Sequence, residues 1–153
     1  MLFDTHAHYD DDQFDGDRET LLASLPEQGV GLVVNPGCTV ASSRTAVELA
    51  RRFPHVYAAV GIHPENCGDF RPEDLDAIRA LAREDKVVAI GEIGLDYYWP
   101  ENPPRPLQQQ VLRSQLALAR ELSLPVIIHD RDAHADTRSE ERRVGKECRS
   151  RWS

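Results

Sequence analysis

Val87-Val88-Ala89-Ile90-Gly91-Glu92 is a run of apolar residues and glycine that ends on a carboxylate. It does not alternate apolar with polar, so it reads as a strand buried on both faces, as in a helix-covered parallel sheet. Four other runs read the same way: Leu2–Thr5, Leu32–Asn35, Val56–Gly61 and Val126–His129. Amphipathic segments lie between them. Residues 17–28 make a poor helix, interrupted by Pro26, whereas residues 40–53 place Ala46, Val47, Leu49 and Ala50 towards one side. Pro72, followed by Glu73 and Asp74, opens a helix with acids where the dipole favours them. Leu75, Ile78, Leu81 and Ala82 then repeat at helical spacing. Pro106 opens another helix, in which Val111, Leu118 and Leu122 recur. The order is β-α-β-α-β-α-β-α-β, a parallel α/β chain. A doubly wound sheet and a (β/α)8 barrel both accommodate it. No Gly-x-Gly-x-x-Gly follows the first strand, and Gly91-Glu92-Ile93-Gly94 lacks that spacing, which weighs against a dinucleotide fold.

The ends of these runs carry the chemistry. His6 and His8 follow the first strand, His63 follows the third in Gly61-Ile62-His63-Pro64, Glu92 ends the fourth, and His129 ends the fifth. In parallel α/β folds ligands collect beyond the carboxyl ends of strands. Side chains two apart on an extended chain share a face, so His6 and His8 present two imidazoles side by side. That pair is half of a divalent-metal site. Glu92 would be costly to bury unpaired after a fully apolar strand, and a metal offsets that cost. His129, after Val126-Ile127-Ile128, follows the same logic. His63 fits a ligand, a substrate contact or a simple turn. Asp96, Asp130 and Arg131 read as partners of the ligands or as loop charges. The acidic run at Asp10, Asp11 and Asp12 reads as a solvated loop, and Asp4 can orient a ligand. Tyr97, Tyr98 and Trp99 can form a base-stacking wall or ordinary loop packing. His55 and His134 are left without a function.

Composition narrows the class. The 153 residues carry a net charge of −8, which hides a division. Residues 1–137 hold 12 basic and 23 acidic side chains, whereas residues 138–153 hold six basic and three acidic ones. An acidic body is not the footprint of a general nucleic-acid binder. It suits a metal enzyme whose cations supply the positive field. No apolar run reaches the ~20 residues of a membrane span, and the N-terminus lacks signal-peptide character. Cys38, Cys67 and Cys148 are scattered and odd in number, which fits a reducing compartment rather than a disulfide framework. The expected location is the cytoplasm.

The segments Thr5-His6-Ala7-His8, Gly61-Ile62-His63-Pro64, Gly91–Tyr97 and Pro125–Ala133 resemble the TatD-related deoxyribonucleases, colinearly across residues 1–137. The resemblance implies a metal-dependent (β/α)8 hydrolase that cleaves DNA phosphodiesters, often as a 3′-to-5′ exonuclease. It implies that His6 and His8 bind a first metal, that Glu92 bridges it to a second, and that His129 binds the second. It makes Glu92 and His63 candidate catalytic residues, and Asp96 and Arg131 candidate substrate contacts. Two divalent ions can activate water and stabilise a leaving oxygen. Mixed imidazole and carboxylate ligands leave magnesium, manganese and zinc open, with imidazole favouring a transition metal or zinc. The partner implied is DNA. A different amidohydrolase-like or phosphoesterase metal hydrolase shares the early His-x-His, and an inactive metal-binding fragment is a third reading.

Two family ligands, a further His and an Asp, have no counterpart here, and five strands fall short of a barrel's eight. The chain therefore reads as an incomplete (β/α)8 barrel with exposed strand edges, prone to association and weakly active. Residues 138–153 have no sustained apolar face. They resemble an in-frame translation of a short-read sequencing adapter, so the reading separates a native segment, 1–137, from a non-native tail, 138–153.

Overall fold

The computed structural model describes the backbone of residues 1–149 and the side chains of residues 1–144. Residues 150–153 and the side chain of Cys148, part of the expected tail, lie outside the described residues. Five strands form one sheet: β1 (Leu2–Asp4), β2 (Val30–Pro36), β3 (Val56–Val60), β4 (Val87–Asp96) and β5 (Val126–Arg131). Their spatial order is their sequence order, β1-β2-β3-β4-β5, and every neighbouring pair is parallel. The helices α1 (Arg18–Ser24), α2 (Val40–Arg52), α3 (Pro72–Leu81), α4 (Arg105–Leu122) and α5 (His134–Arg149) connect or follow them. Sequential parallel order is that of a (β/α) barrel wall, and it excludes the doubly wound alternative, whose strand order reverses at a switch point. The sheet is a curled half-barrel. Among the described residues β1 and β5 are its edges, and Leu2 and Phe3 on β1 are exposed.

The main core lies between sheet and helices. Val33, Val56, Ala58, Val60, Ile90, Ile93 and Leu95 pack there against Leu49, Ile78, Leu112 and Leu118. A smaller cluster, Val34, Ala59 and Ala89, packs with Tyr57, Val88 and Ile127. Successive residues such as Val33 and Val34 enter different clusters, which is why these strands read as continuous apolar runs. Helix α2 starts at the capping box of Thr39 and Ser42. Lys86 donates to the carbonyls of Ala50, Phe53 and Pro54 where α2 ends.

Two elements differ from expectation. Strand β4 continues five residues past Gly91, so Glu92 lies inside a strand rather than at its end. Ile93 and Leu95 are fully buried and continue the apolar pattern across the two glycines. The pairing of β4 with β5 shifts register between Ile90 and Ile93, a bulge at Gly91 and Glu92. Bulges of this kind re-aim a side chain beside functional sites. Helix α5 runs unbroken through residue 137. Its buried stripe continues from Ala133, just before the helix, through Thr137 and Glu140, with Val144 packed against the core. Half of that stripe is polar, so no apolar period marks it. Glu140 is paired with the Arg113 guanidinium of α4.

Gly94 aligns with His129 across β4 and β5. Its φ is +155°, and a Cβ there would lie 1.9 Å from the His129 carbonyl oxygen, which is backbone and cannot yield. Gly94→Ala is expected to lower the melting temperature by about 2–12 °C, from overpacking of about 1–3 kcal/mol in a chain of this size. Thermal unfolding followed by circular dichroism checks this; an unchanged transition would refute the close β4–β5 approach.

Candidate metal centre

Glu92 is 7 % exposed and stands among four histidines. Its two carboxylate oxygens divide the site. Oε2 lies 3.1 Å from His6 Nε2 and 3.3 Å from His8 Nε2. Oε1 lies 3.1 Å from His129 Nδ1 and 3.9 Å from His63 Nε2. The two imidazole nitrogens of His6 and His8 are themselves 3.1 Å apart. Two triads with converging donor atoms result, His6–His8–Glu92 and His63–Glu92–His129.

The donor set fits a divalent metal. Ligands about 2.0–2.1 Å from a tetrahedral zinc ion are about 3.3 Å from one another. The three separations in the first triad are 3.1, 3.1 and 3.3 Å. The second triad is wider, with His63 as its loosest member. Burial pushes Glu92 up, but hydrogen bonds with His129 and His8 and the charges of His63 and His6 outweigh it. Its carboxyl is held well below the usual range and stays ionised. The hydrogen bond with Glu92 raises His8 and His129 above the ordinary imidazole value, against burial, with Asp10 and Asp96 respectively adding to the rise. Burial, reinforced by the neighbouring His129, lowers His63 to about 4, so its ring is neutral near pH 7. Burial, with the charges of Glu92, Asp10 and Glu65, pushes the Cys38 thiol up to about 12, so Cys38 offers no thiolate.

Each triad rests on buried polar groups from other elements. The Asp96 side chain is fully buried, and its Oδ2 lies 2.9 Å from His129 Nε2. Oδ1 accepts from the Tyr98 backbone N–H at 3.0 Å. Burial pushes Asp96 up, and these hydrogen bonds bring it below the ordinary carboxylate value. Asp96 thus lies behind His129, where it fixes the ring through one nitrogen and leaves Nδ1 towards Glu92. Asp10 plays a looser version of this part beside His8, 3.8 Å from Nδ1. It accepts from the fully buried Asn35 at 2.7 Å and returns its own backbone N–H to Asn35 at 3.2 Å. Gln115 of α4 accepts from the Ile62 N–H at 2.8 Å and donates to the Ile62 carbonyl at 3.0 Å. Gln108, two turns earlier, does the same for Asp96, both at 2.9 Å. These glutamines hold the peptides from which His63 and Asp96 project.

The expected ligands His6, His8, Glu92 and His129 come together, and His63 joins them. Arg131 does not enter the triads: it is exposed, 3.9 Å over the Tyr98 ring. The expected aromatic wall divides. Tyr97 turns inward, its hydroxyl donating to Asp136 and its ring under Arg105, while Tyr98 and Trp99 stay exposed. His55 lies against the Leu22 carbonyl, and His134 pairs with Asp130. Sequence reading missed Asn35, Gln108 and Gln115. The one available signal was polar residues seven apart on the buried face of α4.

A carboxylate between two histidine groups, at one end of a curled parallel half-barrel, places the chain among α/β barrel proteins with a candidate metal site at that end. Comparison with known proteins agrees. The family profile described as TatD related DNase matches residues 3–148, and the chain belongs to that family. It is 43 % identical over 136 residues to an uncharacterized metal-dependent hydrolase, YabD, of Bacillus subtilis, covering 89 % of this chain and 53 % of YabD. It is 38 % identical over 133 residues to the 3′-5′ ssDNA/RNA exonuclease TatD of Salmonella typhimurium, covering 87 % and 51 %. The crystal structure of YJJV, a TatD homolog from Escherichia coli, superposes with a TM-score of 0.86 at 34 % identity, covering 94 % of this chain and 56 % of YJJV. The chain spans about half the length of the curated relatives it matches. Among the described residues no helix is long and apolar enough to cross a membrane.

Replacing Asp96 by Asn keeps the shape but removes the charge behind His129. The affinity of the chain for zinc, measured by calorimetry, is expected to fall about ten- to a hundred-fold. It should also weaken as the pH falls through the raised values of His8 and His129, because protons then compete for the nitrogens. An unaltered affinity in Asp96→Asn would mean that His129 needs no such support.

Proposed function

We propose that this chain is the N-terminal part of a metal-dependent phosphodiesterase that trims single-stranded nucleic acid from its 3′ end. The observation that carries the reading is the split of Glu92, one oxygen to each histidine group. On this reading His6, His8 and Glu92 hold one divalent ion, and Glu92 and His129 hold a second. Ions held there supply an activated water and charge neutralisation on the scissile phosphate and its leaving oxygen. The likeness to the Salmonella exonuclease supports the substrate class and polarity.

The chain's own residues then divide the work. Glu92 stays ionised and fixes the separation of the two groups. Asp96 fixes the tautomer of His129, and Asp10, held by Asn35, backs His8. The Glu65 N–H donates to His63 Nδ1 at 3.3 Å, so the neutral ring carries its proton on Nε2, facing Glu92 and the site. His63 is therefore a hydrogen-bond donor to substrate oxygen rather than a ligand. Its depressed pKa keeps it in that neutral form across the physiological range.

The boundary at residue 137 is part of the proposal: residues 1–137 are the native segment and 138–153 are foreign. The charge reversal and the adapter-like sequence support it. Helix α5 and the family profile both cross the boundary, so sequence character alone carries this point. Reading the source DNA across the Thr137 codon tests it; a confirmed stop codon after Ser153 would refute the boundary.

Activity is tested with an oligonucleotide labelled at its 5′ end. With manganese, the purified chain should shorten the strand stepwise from the 3′ end, at the low rate expected of an incomplete barrel, and EDTA should abolish this. His6→Ala and Glu92→Gln should each lower the rate at least about a hundred-fold, the scale of losing a group that orients or polarises at the reacting centre. Turnover of small phosphomonoesters with none on the oligonucleotide would favour a different metal hydrolase.

A further inference from the structure

The loop after β4 carries two exposed aromatic rings in contact. Tyr98 and Trp99 are 49 % and 41 % exposed, their centroids 4.6 Å apart and their planes 89° apart. The Arg131 guanidinium, from the end of β5, lies 3.9 Å over the Tyr98 ring and 5.2 Å from that of Trp99. Among the described residues the other large apolar side chains left exposed, Met1, Leu2 and Phe3, belong to the N-terminus and β1, so this pair is a separate feature. No described carboxylate pairs with Arg131, although Asp130 and Asp132 flank it in sequence. Asp130 is engaged by His134 instead.

The cluster is tied to the metal centre. The Tyr98 N–H donates to Asp96, whose other oxygen meets His129. The Tyr97 N–H donates to the Arg131 carbonyl at 2.9 Å. Asn102 closes the loop from both ends, its backbone N–H on the Trp99 carbonyl and its side-chain amide on the Asp96 carbonyl. The rings are thus held at the rim of the site by hydrogen bonds to ligand-bearing strands.

We propose that Arg131, Tyr98 and Trp99 form a stacking platform for one base of a single-stranded nucleic acid whose phosphate faces the histidine groups. This rests on the nuclease reading and names the element that grips the base. Trp99, perpendicular to Tyr98, offers its exposed ring face to a base, and the Arg131 guanidinium, centred over Tyr98 and beside Trp99, closes the platform. The free cation also accepts a neighbouring phosphate, an attraction that the acidic body otherwise lacks.

The test separates base from backbone. In the full chain with Trp152→Phe, Trp99 is the sole tryptophan. It is titrated in EDTA with a ten-residue oligothymidylate and with an abasic strand of equal length and charge. Trp99 emission should be quenched by the thymidylate, and the abasic strand should bind at least about five-fold more weakly, the effect of one lost stack. By anisotropy of labelled strands, Trp99→Ser should remove the preference and Trp99→Phe should retain it. Equal affinity for the two strands, or a preference that survives Trp99→Ser, would overturn the platform. A base preference without metal-dependent cleavage would support the platform while the nuclease reading fails. Cleavage without a base preference would do the reverse.

Discussion

A carboxylate taken out of water needs compensating charge or hydrogen bonds, and Glu92 finds them in histidines from β5 and from the segments after β1 and β3. The cost of burying it raises its pKa, and its partners more than reverse that rise. The partners can surround it because the sheet curls: β4 lies between β3 and β5, and the residues after β1 and β3 reach the same carboxylate as β5. Gly91 and Gly94 let β4 approach β5 without Cβ atoms between them, which brings His129 within reach of Oε1. Removing one partner from such a group leaves an uncompensated buried charge, so the site is coupled to the fold.

The support behind the ligands follows the same rule of satisfied polar groups. Asp96 is buried because His129, Tyr98 and Gln108 meet it or its peptide. Asn35 is buried because Asp10 accepts from and donates to it. The Ile62 peptide is satisfied by Gln115 rather than by a neighbouring strand. Helix α4 therefore does more than cover the sheet: its two buried amides fix the segment before His63 and the end of β4 that carries Asp96.

Much of this was legible in the sequence because one physical pattern repeats. Apolar runs located all five strands, and four of those runs lead directly to the residues around the centre, His6, His8, His63, Glu92 and His129. What escaped reading depended on distant partners. The extension of β4 was hidden by two glycines that suggest a turn, while their use is the close contact with β5. Asp10 read as a solvated loop acid because nothing local reveals Asn35, 25 residues away. Asp96 read as a partner of the ligands, a loop charge or a substrate contact, because its burial under His129 depends on the β4–β5 pairing. Tyr97, Tyr98 and Trp99 read as one group, yet packing against α4 and α5 takes Tyr97 and leaves the other two at the rim.

The division of Glu92 between two histidine groups is tested most directly by counting metal ions. Zinc titration of the folded chain by calorimetry, with elemental analysis after dialysis, gives the stoichiometry for native protein and for Glu92→Ala. Two equivalents in the native chain, one after loss of His6 and His8 together, and none in Glu92→Ala is the expected result. Undiminished stoichiometry in Glu92→Ala, with its fold confirmed by circular dichroism, would contradict a shared carboxylate at the centre of the site.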